Sequence, residues 1–138
     1  MDFSASSTVI DTSLPQVKQA TVDLTKAAGT YDLVTATNGG VYIDLYKLAM
    51  YVSVVGATLT SVSIQTNQAH ATTILSSTEG AVANLTVGKN LVRAIPVIGS
   101  LYLASGEKLQ YTIAGSTGTG AIIVTIPYMP AVASARLT

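Results

Sequence analysis

The feature that most constrains this chain is a rhythm. Short runs of β-branched and aromatic residues, each bounded by Gly, Ser, Asn or Pro, return about every ten residues between Ala20 and Tyr128. A period of two puts successive side chains on opposite faces of a sheet, and no window sustains the 3.6-residue period of a long helix. The pattern is clearest near the C-terminus. There Ile122, Val124, Ile126 and Tyr128 share one face while Ile123, Thr125 and Pro127 share the other. Leu109, Tyr111 and Ile113 alternate with Gln110 and Thr112 in the same way, and Thr60, Val62, Ile64 and Thr66 alternate with Leu59, Ser61, Ser63 and Gln65.

Further strands are predicted over 20–24, 31–37, 72–75, 91–96 and 100–103. Residues 41–55 hold Leu45, Leu48, Ala49 and Val52 at roughly helical spacing, but their Tyr and Val content predicts one bent or bulged strand. Asn38-Gly39-Gly40 and Ala104-Ser105-Gly106-Glu107 each read as hairpin connections, because Asn and Gly accept positive φ with little steric penalty. Pro127 has no N–H to give to a ladder, so its strand is expected to end there or to run along a sheet edge. The fold expected is all-β: a two-sheet antiparallel sandwich, jelly-roll-like, of about eight strands over 17–128. An N-terminal arm of residues 1–16 precedes it and a C-terminal tail of residues 129–138 follows.

With 138 residues the chain can close a single core without a disulfide, and it has no cysteine to form one. Charged residues make up 10% of it, against roughly 25% in an ordinary soluble domain, while 49% are hydrophobic. Seven basic residues balance seven acidic ones. Little electrostatic repulsion would therefore keep free copies apart, which suits a surface that partners cover. No basic cluster is present to neutralise several phosphates, so nucleic acid is not an expected partner. No apolar run approaches the roughly 20 residues of a spanning helix, so neither is a membrane. The start, MDFSASSTVIDTS, lacks the basic and apolar regions of a secretory signal, and none is expected.

Chemistry is sparse. The single histidine, His70, lies in the polar turn QAHATT, and no GxSxG elbow accompanies it. The seven carboxylates are scattered, without a calcium loop; Asp32 and Asp44 flank the expected hairpin, where two facing carboxylates would cost stability. The glycine-rich 115–120 precedes a strand and lacks the Lys-Ser/Thr ending of a phosphate loop. Asn84-Leu85-Thr86 matches a glycosylation acceptor and is read as a turn. Tyr42, Tyr46 and Tyr51 fall in an apolar stretch and read as core or interface residues. No enzyme activity, metal or other cofactor is expected.

Three stretches carry a resemblance: SVSIQTNQ, GAVANLTVGKN and SLYLASGEKLQYTIAGSTGTGAIIVTIPYMP. With their Thr-rich strands, Leu-Ala-Ser-Gly-Glu-Lys connection and Gly/Thr loop before the last strand, they resemble the small jelly-roll cement, or decoration, proteins of tailed-phage capsids. Together with the whole-chain layout the resemblance covers about two-thirds of the chain, and it implies a structural virion protein with no catalytic residues. Such a protein binds the outer capsid surface after synthesis in the host cytoplasm, clamps neighbouring major capsid protein subunits, and pairs with itself as a homodimer. The alternative is a carbohydrate- or receptor-binding sandwich of a phage head fibre or tail. The terminal segments place Phe3, Val9, Ile10, Leu14, Val132 and Leu137 in small, polar surroundings, and these six are the candidate partner-binding residues.

His70→Ala is expected to leave both the melting temperature and partner binding unchanged, since surface substitutions usually stay within about 0.5 kcal/mol. Thermal unfolding of the variant checks this, and a large drop would assign the imidazole a role.

Overall fold

A computed structural model describes residues 14–54, 59–115 and 119–138. Among them are eleven strands: β1 (Gln16–Asp23), β2 (Gly29–Thr37), β3 (Val41–Asp44), β4 (Ala49–Val54), β5 (Leu59–Thr66), β6 (Thr73–Leu75), β7 (Lys89–Asn90), β8 (Ser100–Leu103), β9 (Lys108–Gly115), β10 (Ala121–Pro130) and β11 (Arg136–Leu137). One 3-10 turn, Val82–Asn84, lies between β6 and β7. All the pairings are antiparallel.

In the first sheet β10 is central. One edge of it pairs with β1 from Gln16↔Tyr128 to Asp23↔Ala121. Its other edge is shared, with β4 opposite 121–125 and β3 opposite 128–130. Beyond these lie β7 on β4 and β8 on β3. The second sheet runs β11-β2-β9-β5-β6. Counting β3/β4 as one position and β7/β8 as another, β1 to β10 make eight strand positions that alternate between the sheets, with β5 and β6 as the one consecutive pair inside a sheet, and β11 adds a ninth at the edge of the second. This is the winding of a jelly roll.

That winding corrects both expected hairpins. β2 and β3 belong to different sheets, and so do β8 and β9. Asn38 (φ 60°) and Gly39 (φ 133°) do reverse the chain, but as a corner that carries it across the core. At 104–107 Glu107 N–H donates to Ala104 C=O, and Gly106, at φ 90°, donates to Ala36 C=O at the end of β2. Turn chemistry dictates a reversal; it does not dictate which edges pair afterwards.

The single strand expected over 41–55 is two strands. Leu48 N–H bonds back to Asp44 C=O, and Asp44 Oδ1 accepts the N–H groups of Tyr46 (3.0 Å) and Lys47 (3.2 Å). One helical turn thus interrupts the run, and its spacing was present in Leu45 and Leu48. Pro127 is likewise corrected from a strand end or edge to the interior of the central strand. Leu24 N–H donates to Gly120 C=O on the β1 side and Ala131 N–H to Gly40 C=O on the β3 side, so position 127 faces the β3/β4 side. There it meets the turn between β3 and β4, where no ladder donor is needed.

The inward rows match the alternation. Ile122, Val124, Ile126 and Tyr128 of β10 are buried, as are Leu109, Tyr111 and Ile113 of β9, and all join one apolar cluster. Leu59 and Val62 both reach it because the β5 register shifts between Leu59 and Ser61. Thr66, 1% exposed, is satisfied: its hydroxyl accepts Thr72 N–H at 2.9 Å.

The expected tail of 129–138 is corrected too. Met129 and Pro130 continue β10, and β11 pairs Arg136 with Thr37 and Leu137 with Ala36. Thr138 and Thr35 exchange backbone hydrogen bonds at 2.9 Å. Leu137 and Ala135 are 4% and 5% exposed, so Leu137 is a core residue and not a docking residue. Two apolar residues two apart were enough to make a strand once β2 offered an edge. Val132, 48% exposed, points outward.

Leu137→Ala should therefore cost about 2–3 kcal/mol, whereas Val132→Ala should stay within about 0.5 kcal/mol. Urea unfolding of the two variants measures the difference; equal effects would contradict the docking of β11.

Candidate interaction surface

Around β7 the sequence builds a projecting loop. Leu85 and Leu91 are buried and fix the chain on either side of Lys89–Asn90. Gly88 N–H bonds to Val52 C=O and Leu91 N–H to Met50 C=O, both at 2.8 Å, which ties this stretch to β4. After Leu91 the ladder stops. The strand expected at 91–96 is absent: Pro96 offers no donor, and Val92 and Ile95 do not alternate toward a core.

Two charged side chains hold the stem. The Arg93 guanidinium donates to the carbonyl oxygens of Leu45 and, at 3.4 Å, Leu48. The Glu79 carboxylate accepts Ser76 N–H at 3.0 Å and also Ala94 N–H. Asn84 braces Glu79 in turn, its amide donating to Thr78 C=O (3.1 Å) and Glu79 C=O (3.2 Å). The chain rejoins the sheet where Leu45 N–H bonds to Gly99 C=O.

Between these anchors Val92, Ile95 and Val97 are 85%, 85% and 99% exposed, and Ile98 is half exposed. Each such side chain is worth roughly 1.5–3 kcal/mol when fully buried, and monomeric proteins rarely leave apolar side chains clustered like this. A pinned stem lowers the ordering entropy that docking must overcome.

The Ser76 N–H, then the Ala94 N–H, hold Glu79 below the usual glutamate value against the opposing effect of its burial. Burial pulls Arg93 down, and the Glu79 charge opposes that. The guanidinium stays ionised regardless.

The outer faces of the two sheets differ. On the second, Thr30 and Thr112 bond through their hydroxyls, and Asp32 takes Lys108 (2.6 Å) and Gln110 (2.9 Å), so the face is polar. The bond from Gln110, then that from Lys108, lowers the Asp32 pKa. On the first, Tyr42, Tyr102 and Met129 form a cross-strand row, with Tyr46 and Tyr51 also exposed. Tyr42, Tyr46 and Tyr51 are thus not core residues.

Of the six candidate partner-binding residues, Leu14 (54% exposed) and Val132 lie on the surface, Leu137 lies in the core, and Phe3, Val9 and Ile10 lie outside the described residues. Asp32 and Asp44 sit in different sheets and do not meet. His70 is exposed in the bend after β5. Among the described residues no three of His, Asp and Glu gather as a metal site. Sequence reasoning missed Val92, Ile95, Val97 and Ile98; for the last three the signal was AIPVIG, apolar yet without alternation and broken by proline.

No protein-family model and no curated protein matches this chain.

A group whose folded pKa is depressed contributes stability above its unfolded pKa and loses it as pH falls through the folded value. For Glu79 that contribution is complete above its ordinary value of 4.5 and fades on acidification below it. Glu79→Ala should cost about 1–2 kcal/mol at neutral pH and make the acid decline shallower, leaving the parts due to Asp23 and Asp32, which are also lowered. Unfolding free energies measured across acid pH test this; profiles parallel to wild type would contradict it.

Proposed function

We propose that this chain is a structural virion protein, a cement or decoration protein that binds the outside of a phage capsid and clamps neighbouring major capsid subunits. The observation that carries the reading is the loop at 91–98. Its stem is fixed by Arg93 and Glu79, and it presents Val92, Ile95, Val97 and Ile98 to whatever lies beyond the protein. A surface poor in charge supports the same reading, as does the resemblance of the 61–68, 80–90 and 100–130 stretches to capsid cement proteins.

Binding of this kind needs buried area and complementary shape, with no turnover. The apolar loop supplies the anchor, seated in an apolar socket on a shell subunit. β1 supplies a second kind of contact. Among the described residues no strand pairs with its outer edge, along which Val17, Gln19, Thr21 and Asp23 turn their backbone groups. Such an edge accepts a strand from a second copy of this chain or from the shell. Stiffening follows because each copy ties together subunits that internal pressure would separate.

The test is occupancy on undecorated particles. Ile95→Asp with Val97→Asp should leave the fold and melting temperature intact, since both side chains are already solvated, and should reduce occupancy at least about tenfold. Occupancy equal to wild type would remove the loop from the interface.

A further inference from the structure

On the outer face of the first sheet, where β8, β3 and β10 lie side by side, there is a groove of about 330 Å³. Tyr42, Met129, Pro127 and Pro15 give it apolar walls, and Asp44, Lys47 and Ser100 stand among them as its charged and hydroxyl groups. Beside it Tyr102, directly opposite Tyr42, holds its ring 5.0 Å from that ring at a tilt of 48°.

These rings sit on backbone cleared for them. A methyl group on Gly40 would overlap the Tyr102 ring, and one on Gly99, which lines the groove, would overlap the Tyr46 ring. Both tyrosines therefore lie close against the chain, with Tyr102 45% and Tyr46 63% exposed. The polar groups are also prepared. Two backbone N–H groups fix Asp44 through Oδ1, and among the described residues Oδ2, the Lys47 ammonium and the Ser100 hydroxyl have no hydrogen-bond partner.

We propose that this groove binds a neutral saccharide. A pyranose ring has an apolar C–H face, which stacks on an aromatic ring, and a hydroxyl edge, which needs both acceptors and donors. Tyr42 and Met129 supply the flat apolar surface, Asp44 Oδ2 accepts from hydroxyls, and Lys47 and Ser100 donate to them. One carboxylate and one ammonium leave the site without net charge, which matches a neutral sugar better than an anionic or cationic ligand. The volume lies at the small end of ligand pockets and suits one or two sugar rings. No residue of 91–98 lines the groove, although the loop ends beside it at Gly99, and the proposal does not depend on the virion reading.

The experiment titrates the isotope-labelled full chain with short neutral hexose and N-acetylhexosamine oligosaccharides and follows its amide resonances. Binding should shift Tyr42, Ser100 and Met129 and raise the melting temperature with ligand concentration. Tyr42→Ala should weaken binding at least about tenfold while retaining the fold by circular dichroism. Ser100→Ala, which removes one hydroxyl and no packing, should weaken it by a smaller factor. No shift with any of the sugars, shifts located elsewhere, wild-type affinity in Tyr42→Ala, or binding of a proline-rich peptide but of no saccharide would each overturn the proposal. Ile95→Asp with Val97→Asp should bind sugar normally, and Tyr42→Ala should occupy capsids normally, so the two readings fail separately.

Discussion

Strand β10 is paired along both edges, and the rest of the sandwich takes its position from that pairing. Against β1 it holds an unbroken register from Gln16 to Asp23, which fixes which face of β1 turns Val22 inward. Its opposite edge must serve two shorter strands in succession, so the chain between β3 and β4 has to leave the sheet and return. Asp44 caps the turn that does this, and Pro127 stands where β10 faces it. A proline inside a central strand would ordinarily leave a neighbour's acceptor unmatched. Here the missing donor and the missing partner coincide.

The same division shapes the surface. Because β3 with β8 and β4 with β7 extend the first sheet as two separate halves, its outer face carries two distinct features. The β3/β8 half holds the tyrosine row and its groove, and the β4/β7 half runs out into the apolar loop. The second sheet ends in the short strands β6 and β11, and its outer face is closed by hydroxyl and amide pairs around Asp32. Short edge strands and a polar face resist association. The apolar loop and the long outer edge of β1 favour it.

Much of this architecture was legible in the sequence wherever one face is buried. The rows Ile122/Val124/Ile126/Tyr128 and Leu109/Tyr111/Ile113 follow from period two, and 100–103 is the range of β8 as read. Pairing was not legible, because Asn38-Gly39-Gly40 makes the same backbone reversal whether the next strand turns back beside β2 or crosses to the other sheet. β-propensity also overreached at 91–96, since a Val/Ile run becomes a strand only where a neighbouring edge is open to it, and β4 offers its edge only as far as Met50. The candidate surface was harder still. Tyr42 reads as core or interface in sequence, and only its place on β3 turns it outward, while Val97 is exposed because the chain leaves the sheet after Leu91. Leu137 shows the reverse, an apolar residue in a polar tail that the edge of β2 draws into the core.

The central claim is that a sandwich stable by itself carries a pinned apolar loop for a partner to cover. Amide hydrogen exchange, measured on the free protein and on the protein bound to capsids, tests it most directly. The account predicts that Ile122, Val124 and Ile126 exchange among the slowest amides in both states, while the amides of Val97 and Ile98 exchange fast in the free protein and become protected on capsids. Rapid exchange in β10 of the free protein, or a loop that exchanges as fast on capsids as off them, would contradict it.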